Sequence, residues 1–265
     1  DIARRTSFEG GVSFGDAGPY ELLEGTAHFA VDPLSDVNRP ITDIELAPRD
    51  SGGKVRFSSD FAMLRPADPD KGNRALLLDV VNRGNRTVLK NFNSGDSHSQ
   101  PMEQIQSGNG FLMRHGYTVA WCGWQPDIPD TPGLVGMRSA PEALGPDGLP
   151  LAGEILCWYQ VDVPTDVLPL SHSEHRTHPP VDPGEAGAAL YVSDHPNDAP
   201  KLIGRESWSF VQGGRDDSDE WCVSLPSGFQ PGRIYQLVYR SAGSTVVGLG
   251  FAAVRDIASF LKHAA

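Results

Sequence analysis

Between Leu23 and Val31 the chain alternates. Leu23, Gly25, Ala27, Phe29 and Val31 fall on one side, and Glu24, Thr26, His28 and Ala30 on the other. That period of two predicts a half-buried strand. Val55, Phe57, Phe61 and Met63 extend the pattern on both sides of Ser58-Ser59-Asp60, with turns at Asp32-Pro33, Asn38-Arg39-Pro40 and Asp50-Ser51-Gly52-Gly53. Residues 1–70 thus read as a β-rich region that ends in the connector Pro66-Ala67-Asp68-Pro69-Asp70. The pattern then changes. Ala75-Leu76-Leu77-Leu78-Asp79-Val80-Val81 is almost continuously apolar, as in a strand buried on both faces. A helix is expected over Met102 to Arg114, ended by Gly116, and a second buried strand over Tyr117 to Trp124. Strand, loop, helix and strand over 71–124 make a βαβ unit with parallel pairing as the default.

From Gln125 to about Leu151 the chain is Pro- and Gly-rich loop. Strands are expected near 155–161, 189–192, 207–212, 220–225 and 233–239, with 164–200 otherwise mostly loop. The stretch 125–240 therefore reads as an antiparallel β-rich insertion into an α/β frame. Residues 241–265 close the chain with a helix whose apolar stripe is Val247, Phe251, Val254, Ala258 and Leu261. Arg255, Asp256, Ser259 and Lys262 face the other way.

Composition narrows the classes. The chain has 265 residues and a net charge of −12. That argues against a nucleic-acid or anionic-membrane partner, both of which want clustered Lys and Arg. The 29 glycines and 22 prolines imply many turns and exclude a helical bundle. Cys122, Cys157 and Cys222 are far apart and odd in number, so they read as buried thiols, with one disulfide as the alternative. No apolar run reaches the length of a membrane span.

Several residue groups suggest chemistry on their own. His172, His175 and His178 stand at i, i+3 and i+6 and are candidate zinc, copper or nickel ligands. Their spacing departs from HExxH, and Pro179-Pro180 follows directly, so a solvated loop is the preferred reading. Gly95-Asp96-Ser97-His98-Ser99 looks like a nucleophile elbow but lacks the preceding strand, and a polar loop is preferred there. The glycines of 243–250 complete neither phosphate-binding fingerprint, so no cofactor is expected. The acidic run Asp216-Asp217-Ser218-Asp219-Glu220 reads as a solvated turn. Trp121, Trp124 and Trp158 could line a sugar- or aryl-binding face, although core packing is the commoner use of tryptophan.

Segments spread along the chain together resemble a known family. They are Phe8-Glu9-Gly10-Gly11, Gly18-Pro19-Tyr20-Glu21-Leu22-Leu23-Glu24-Gly25, Leu78 to Asn85, Gly108-Asn109-Gly110-Phe111-Leu112, Gly116 to Gln125 and Val247 to Asp256. In order and spacing they resemble the uncharacterised bacterial alpha/beta hydrolase domain-containing proteins. The resemblance implies a partial α/β-hydrolase sheet, with Asp79 on its third strand and Trp121 on its fourth. It implies that the helix from Gly248 precedes the strand bearing the nucleophile, so that nucleophile, acid and histidine lie beyond Ala265. It also places one backbone donor of the oxyanion hole in the loop Asn82, Arg83, Gly84, Asn85; a plain strand-to-loop turn is the competing reading.

The expectation that follows is the N-terminal portion of a hydrolase. Such a protein would act on a small ester-like substrate when full length, and this chain alone would be inactive. Exposed apolar surface is expected on the sheet edge after the Trp121 strand and on the Val254 stripe. The alternative is a complete β-rich carbohydrate-binding or interaction module without catalysis. A metal-dependent hydrolase built on the three histidines ranks third.

Overall fold

The computed structural model describes residues 1–95, 100–171, 177–213 and 220–263. The chain is β-rich, with three sheets and few helices among the described residues. It divides into two compact units, one made of residues 1–141 and 245–265 and the other of 142–244.

The first unit is built on a five-stranded sheet. Its strands are β1 (Ile2–Ser7), β2 (Tyr20–Val31), β3 (Val55–Pro66), β4 (Leu76–Asp79) and β5 (Thr118–Cys122), in the order β1-β2-β3-β5-β4. The alternating stretches form β2 and β3, which pair antiparallel along twelve residues from Tyr20↔Pro66 to Val31↔Val55. The two apolar runs form β4 and β5, the one parallel pair among the described residues, with Leu76↔Thr118 through Asp79↔Trp121. The free edge at this end of the sheet is β4, because β5 lies between β3 and β4.

Register fixes which side chains share a face. Leu22, Leu64, Val119 and Leu77 stand in one row across the sheet. With Tyr20, Ala62 and Trp121 they form a core closed by Phe8, Phe14, Val88, Leu89, Leu112 and Met113. Leu23, Phe29, Phe57, Phe61, Ala120 and Cys122 point to the opposite face and are also buried, so the sheet is covered on both sides.

The helices depart from the sequence expectation. The stretch 102–114 is not one helix. It is a 3₁₀ turn at Met102–Gln104 and a single helical turn, α2 (Phe111–Arg114). Gly108 and Gly110 break it with φ of 58° and 68°, left-handed backbone that no helix can include. A short helix, α1 (Val88–Asn93), forms where a polar loop was expected. The final helix, α3 (Leu249–His263), contacts β2 and β5.

The expected stripe of α3 is not the side that packs. Leu249, Gly250, Ala252, Ala253 and Ile257 are buried, while Phe251 is 71 % and Val247 63 % exposed. Close approach decides the matter: a Cβ at Gly250 would lie 2.0 Å from the Trp124 carbonyl oxygen. The face rich in small residues is the one that fits against the sheet.

The second unit is a β-sandwich. One sheet, in the order β6-β12-β8-β9, comprises β6 (Ala152–Tyr159), β12 (Ile234–Ala242), β8 (Ala189–Ser193) and β9 (Lys201–Ile203). The other, β10-β11-β7, comprises β10 (Ser209–Gln212), β11 (Trp221–Phe229) and β7 (Thr165–Pro169), the last in a stretch expected to be loop. The pairings among its described strands are antiparallel. The inner faces meet in one core that joins Leu190, Leu237 and Tyr239 of one sheet to Leu168, Val223 and Phe229 of the other. Among the described residues no disulfide joins Cys122, Cys157 or Cys222.

Candidate functional site

In sheets with parallel strands, ligands favour the crevice at the carboxyl ends of those strands. Here β4 and β5 end at Asp79 and Cys122, and the chain beyond each is densely bonded.

Asp79 is the hub. Its Oδ2 accepts hydrogen bonds from the backbone N–H groups of Thr87 (2.7 Å) and Val88 (3.0 Å) and from the Trp121 indole (2.9 Å), and its Oδ1 accepts from the Thr87 hydroxyl (3.1 Å). The carboxylate thus satisfies the orphan donors at the start of α1. It is the one charged residue in an apolar run, and its side chain ties β4, β5 and α1 together. The Trp124 indole adds a 2.6 Å bond to the Val81 carbonyl.

The four oxyanion-loop candidates form a tight turn directly after this strand. Asn82 and Asn85 exchange backbone hydrogen bonds of 3.0 and 2.9 Å. The central residues have positive φ, 52° at Arg83 and 80° at Gly84, the signature of a type I′ turn. Gly84 is required by packing as well as by conformation, since a Cβ there would sit 2.9 Å from Ile128 Cγ2. Arg83 pays the strain of a left-handed conformation that a bulky residue seldom adopts. Its guanidinium is held by a bidentate pair with Asp127, at 2.6 and 3.1 Å, and its backbone N–H donates to Gln125 Oε1 at 2.9 Å. The Gly84 carbonyl accepts from the Val135 N–H at 2.9 Å.

The segment after β5 is anchored to the sheet by Asp60. This carboxylate accepts from the Gly136 N–H at 2.9 Å and from Arg138 Nε at 2.7 Å. Arg138 also donates to the carbonyls of Ile128, Pro129 and Leu134. A cavity of about 470 Å³ opens between this segment and the sheet, lined by Glu24, Asp60, Arg86, Met102, Thr131 and Arg138 among others. Arg86 is buried there and donates to the Gln100 carbonyl and to Met102 Sδ. Burial pushes its guanidinium down to about 10, against the pull of Glu24, Asp79 and Glu103.

The remaining candidates lie elsewhere. His172 and His175 fall outside the described residues, as do Asp96 to Ser99 of the elbow-like segment and most of the acidic run. His178 is committed through its backbone, its N–H to the Leu170 carbonyl and its carbonyl to the Tyr239 hydroxyl at 2.6 Å. Among the described residues no group of three or more His, Cys, Asp and Glu could hold a metal. Burial pushes the Cys122 thiol up to about 12, so it is not a ready nucleophile. Of the three tryptophans weighed for a binding face, Trp121 is core and only Trp158 is largely exposed.

Sequence reasoning picked out the loop and placed Asp79 on the strand before it, but gave no role to Asp79, Arg86, Gln125 or Asp127. A lone aspartate in an apolar strand was the one signal that pointed there. What the arrangement offers chemically is a backbone turn that presents one N–H, that of Arg83, to a side-chain oxygen at the carboxyl end of a parallel strand. Comparison with protein-family models, with curated proteins and with solved structures returns no match for this chain.

Proposed function

We propose that the chain is the N-terminal portion of an α/β-hydrolase-family protein, active in acyl-ester hydrolysis when full length and inactive in this portion. The observation that carries the reading is the parallel pair β4–β5 with the Asn82–Asn85 turn at its carboxyl end. Two further features support it. Among the described residues β4 has no partner on its outer edge, with Leu76 on it and Val80 just after it exposed, and Phe251 of α3 and Val247 just before that helix face solvent. An apolar edge and an apolar helix stripe of this kind suit further parallel strands pairing with β4.

In this reading the turn supplies one half of an oxyanion hole. The Arg83 N–H is already aimed at an oxygen, that of the Gln125 side chain. A developing oxyanion would displace Gln125 Oε1 and take the same donor. The Arg83–Asp127 pair holds the turn while that exchange occurs. The nucleophile, acid and histidine come from chain beyond Ala265, and the substrate is a small ester.

The test is the coding frame past Ala265, followed by expression of the extended protein. Expected are a strand, a G-x-S-x-G elbow, labelling of that serine by a fluorophosphonate, and turnover of a short-chain aryl ester. The 1–265 chain should show no turnover. Gln125→Ala in the extended protein should alter kcat severalfold and leave serine labelling intact. A frame without a labelled serine overturns the reading.

A further inference from the structure

The second unit carries a surface that its sandwich architecture does not require. The inner face of the β6-β12-β8-β9 sheet is spent on the core. An outer face in such a fold is ordinarily polar, because alternation sends polar residues to solvent. Here it is not. Register places Trp158, Gln236, Tyr191 and Leu202 in one row across all four strands. Beside it stand Leu156, Val238 and Ala189. Trp158 is 52 %, Leu156 56 % and Leu202 65 % exposed, and Tyr191, Gln236 and Val238 are partly so. Glu154 opposite Arg240 closes the row's flank with charge.

We propose that this face binds a single neutral polysaccharide chain, with Trp158 and Tyr191 as stacking platforms and Gln236 as the polar contact between them. Two strand spacings separate the aromatic residues, about 10 Å, the scale of alternate pyranose rings along a β-linked glycan. Each ring presents an apolar C–H face to an aromatic side chain, as aromatic rings with a polar edge are suited to accept. The Gln236 amide supplies both donors and an acceptor to hydroxyls lying between.

Charge and area argue against the other occupants. A net charge of −12 opposes a second copy of the chain or a polyanion, and it leaves a neutral polyol unaffected. Four strands and two rows of side chains span only a few hundred Å², roughly half or less of the ~800 Å² per partner in a stable protein interface. Successive strands turn by about 20–25°, so the platform is a twisted ramp. It fits one hydrated chain better than a flat crystalline surface.

The experiment is affinity electrophoresis of the whole chain through gels containing hydroxyethylcellulose, xylan or galactomannan, followed by calorimetry with the matching hexasaccharide. Retardation in at least one gel is expected, with no retention on crystalline cellulose. Trp158→Ala should weaken binding at least tenfold, Tyr191→Ala severalfold, and Trp158→Phe only in part. Leu149→Ser, exposed in the same unit, should leave binding unchanged. Unaltered thermal unfolding of each variant separates lost contact from lost fold. Absence of retardation in every gel overturns the proposal, as does full binding by Trp158→Ala. So does a concentration-dependent dimer that Trp158→Ala abolishes, which would assign the face to self-association. Each outcome is independent of ester hydrolysis.

Discussion

The two units solve the burial problem differently. The sandwich of residues 142–244 closes its core between two antiparallel sheets, and each sheet supplies half of it. The other unit wraps one mixed sheet with small helices and turns, yet it leaves an apolar parallel strand at its edge and an apolar stripe on its longest helix. Antiparallel pairing lets a short hairpin complete a layer, whereas a parallel pair needs a crossover and asks for cover on both faces. The unpaired β4 edge is the consequence of the second strategy. The apolar surface left over therefore differs in kind: an unpaired backbone edge in one unit, and an ordered row of side chains on a fully paired sheet in the other.

The strongest test of this contrast is to hollow each core in turn. Trp121→Ala should destabilise the first unit by about 3–5 kcal/mol, and Leu237→Ala the second by about 2–5 kcal/mol. Thiol labelling during denaturation reads the two separately, since Cys122 is buried in the first unit and Cys222 in the second. Each variant should release only its own cysteine early; simultaneous release would show that the units unfold as one. Gly250→Ala should cost about 1–3 kcal/mol by overpacking, read as earlier Cys122 labelling, because its Cβ meets the Trp124 carbonyl oxygen. Smallest of all, Phe251→Ser should change stability by no more than about 0.5 kcal/mol while lowering hydrophobic-dye binding. A large loss there would mean that the exposed stripe is covered in solution.

Strands were legible where one periodicity dominated. The alternation of Leu23 to Val31 and the apolar run before Asn82 both became strands, and the second pairs parallel with the strand at Trp121. Helices were less legible because their limits depend on residues distant in sequence. α1 rests on a carboxylate from the end of β4, and the length of α2 is set by two glycines in left-handed backbone. The packed side of α3 could not be read from hydrophobicity, since the contact selects for small size. Around the turn, the position of Asn82 to Asn85 was readable, but the Gln125 and Asp127 partners of Arg83 belong to the chain after β5. The Trp158–Gln236–Tyr191–Leu202 row is likewise invisible until three strand registers are known.

The way the sandwich is spliced into the chain bears on the order of synthesis. Its two ends are pinned together: the Ala143 N–H donates to the Ser244 carbonyl at 2.8 Å, and the Ser244 N–H donates to the Leu151 carbonyl at 3.3 Å. The first unit's sheet emerges from the ribosome before the sandwich, but α3, which buries part of it, follows roughly a hundred residues later. Closing an open loop of that length would cost about 4 kcal/mol in chain entropy. A sandwich that folds as it emerges brings residues 143 and 244 side by side and removes most of that cost. The inserted unit would thus act as an intramolecular clamp that brings α3 to a sheet already synthesised.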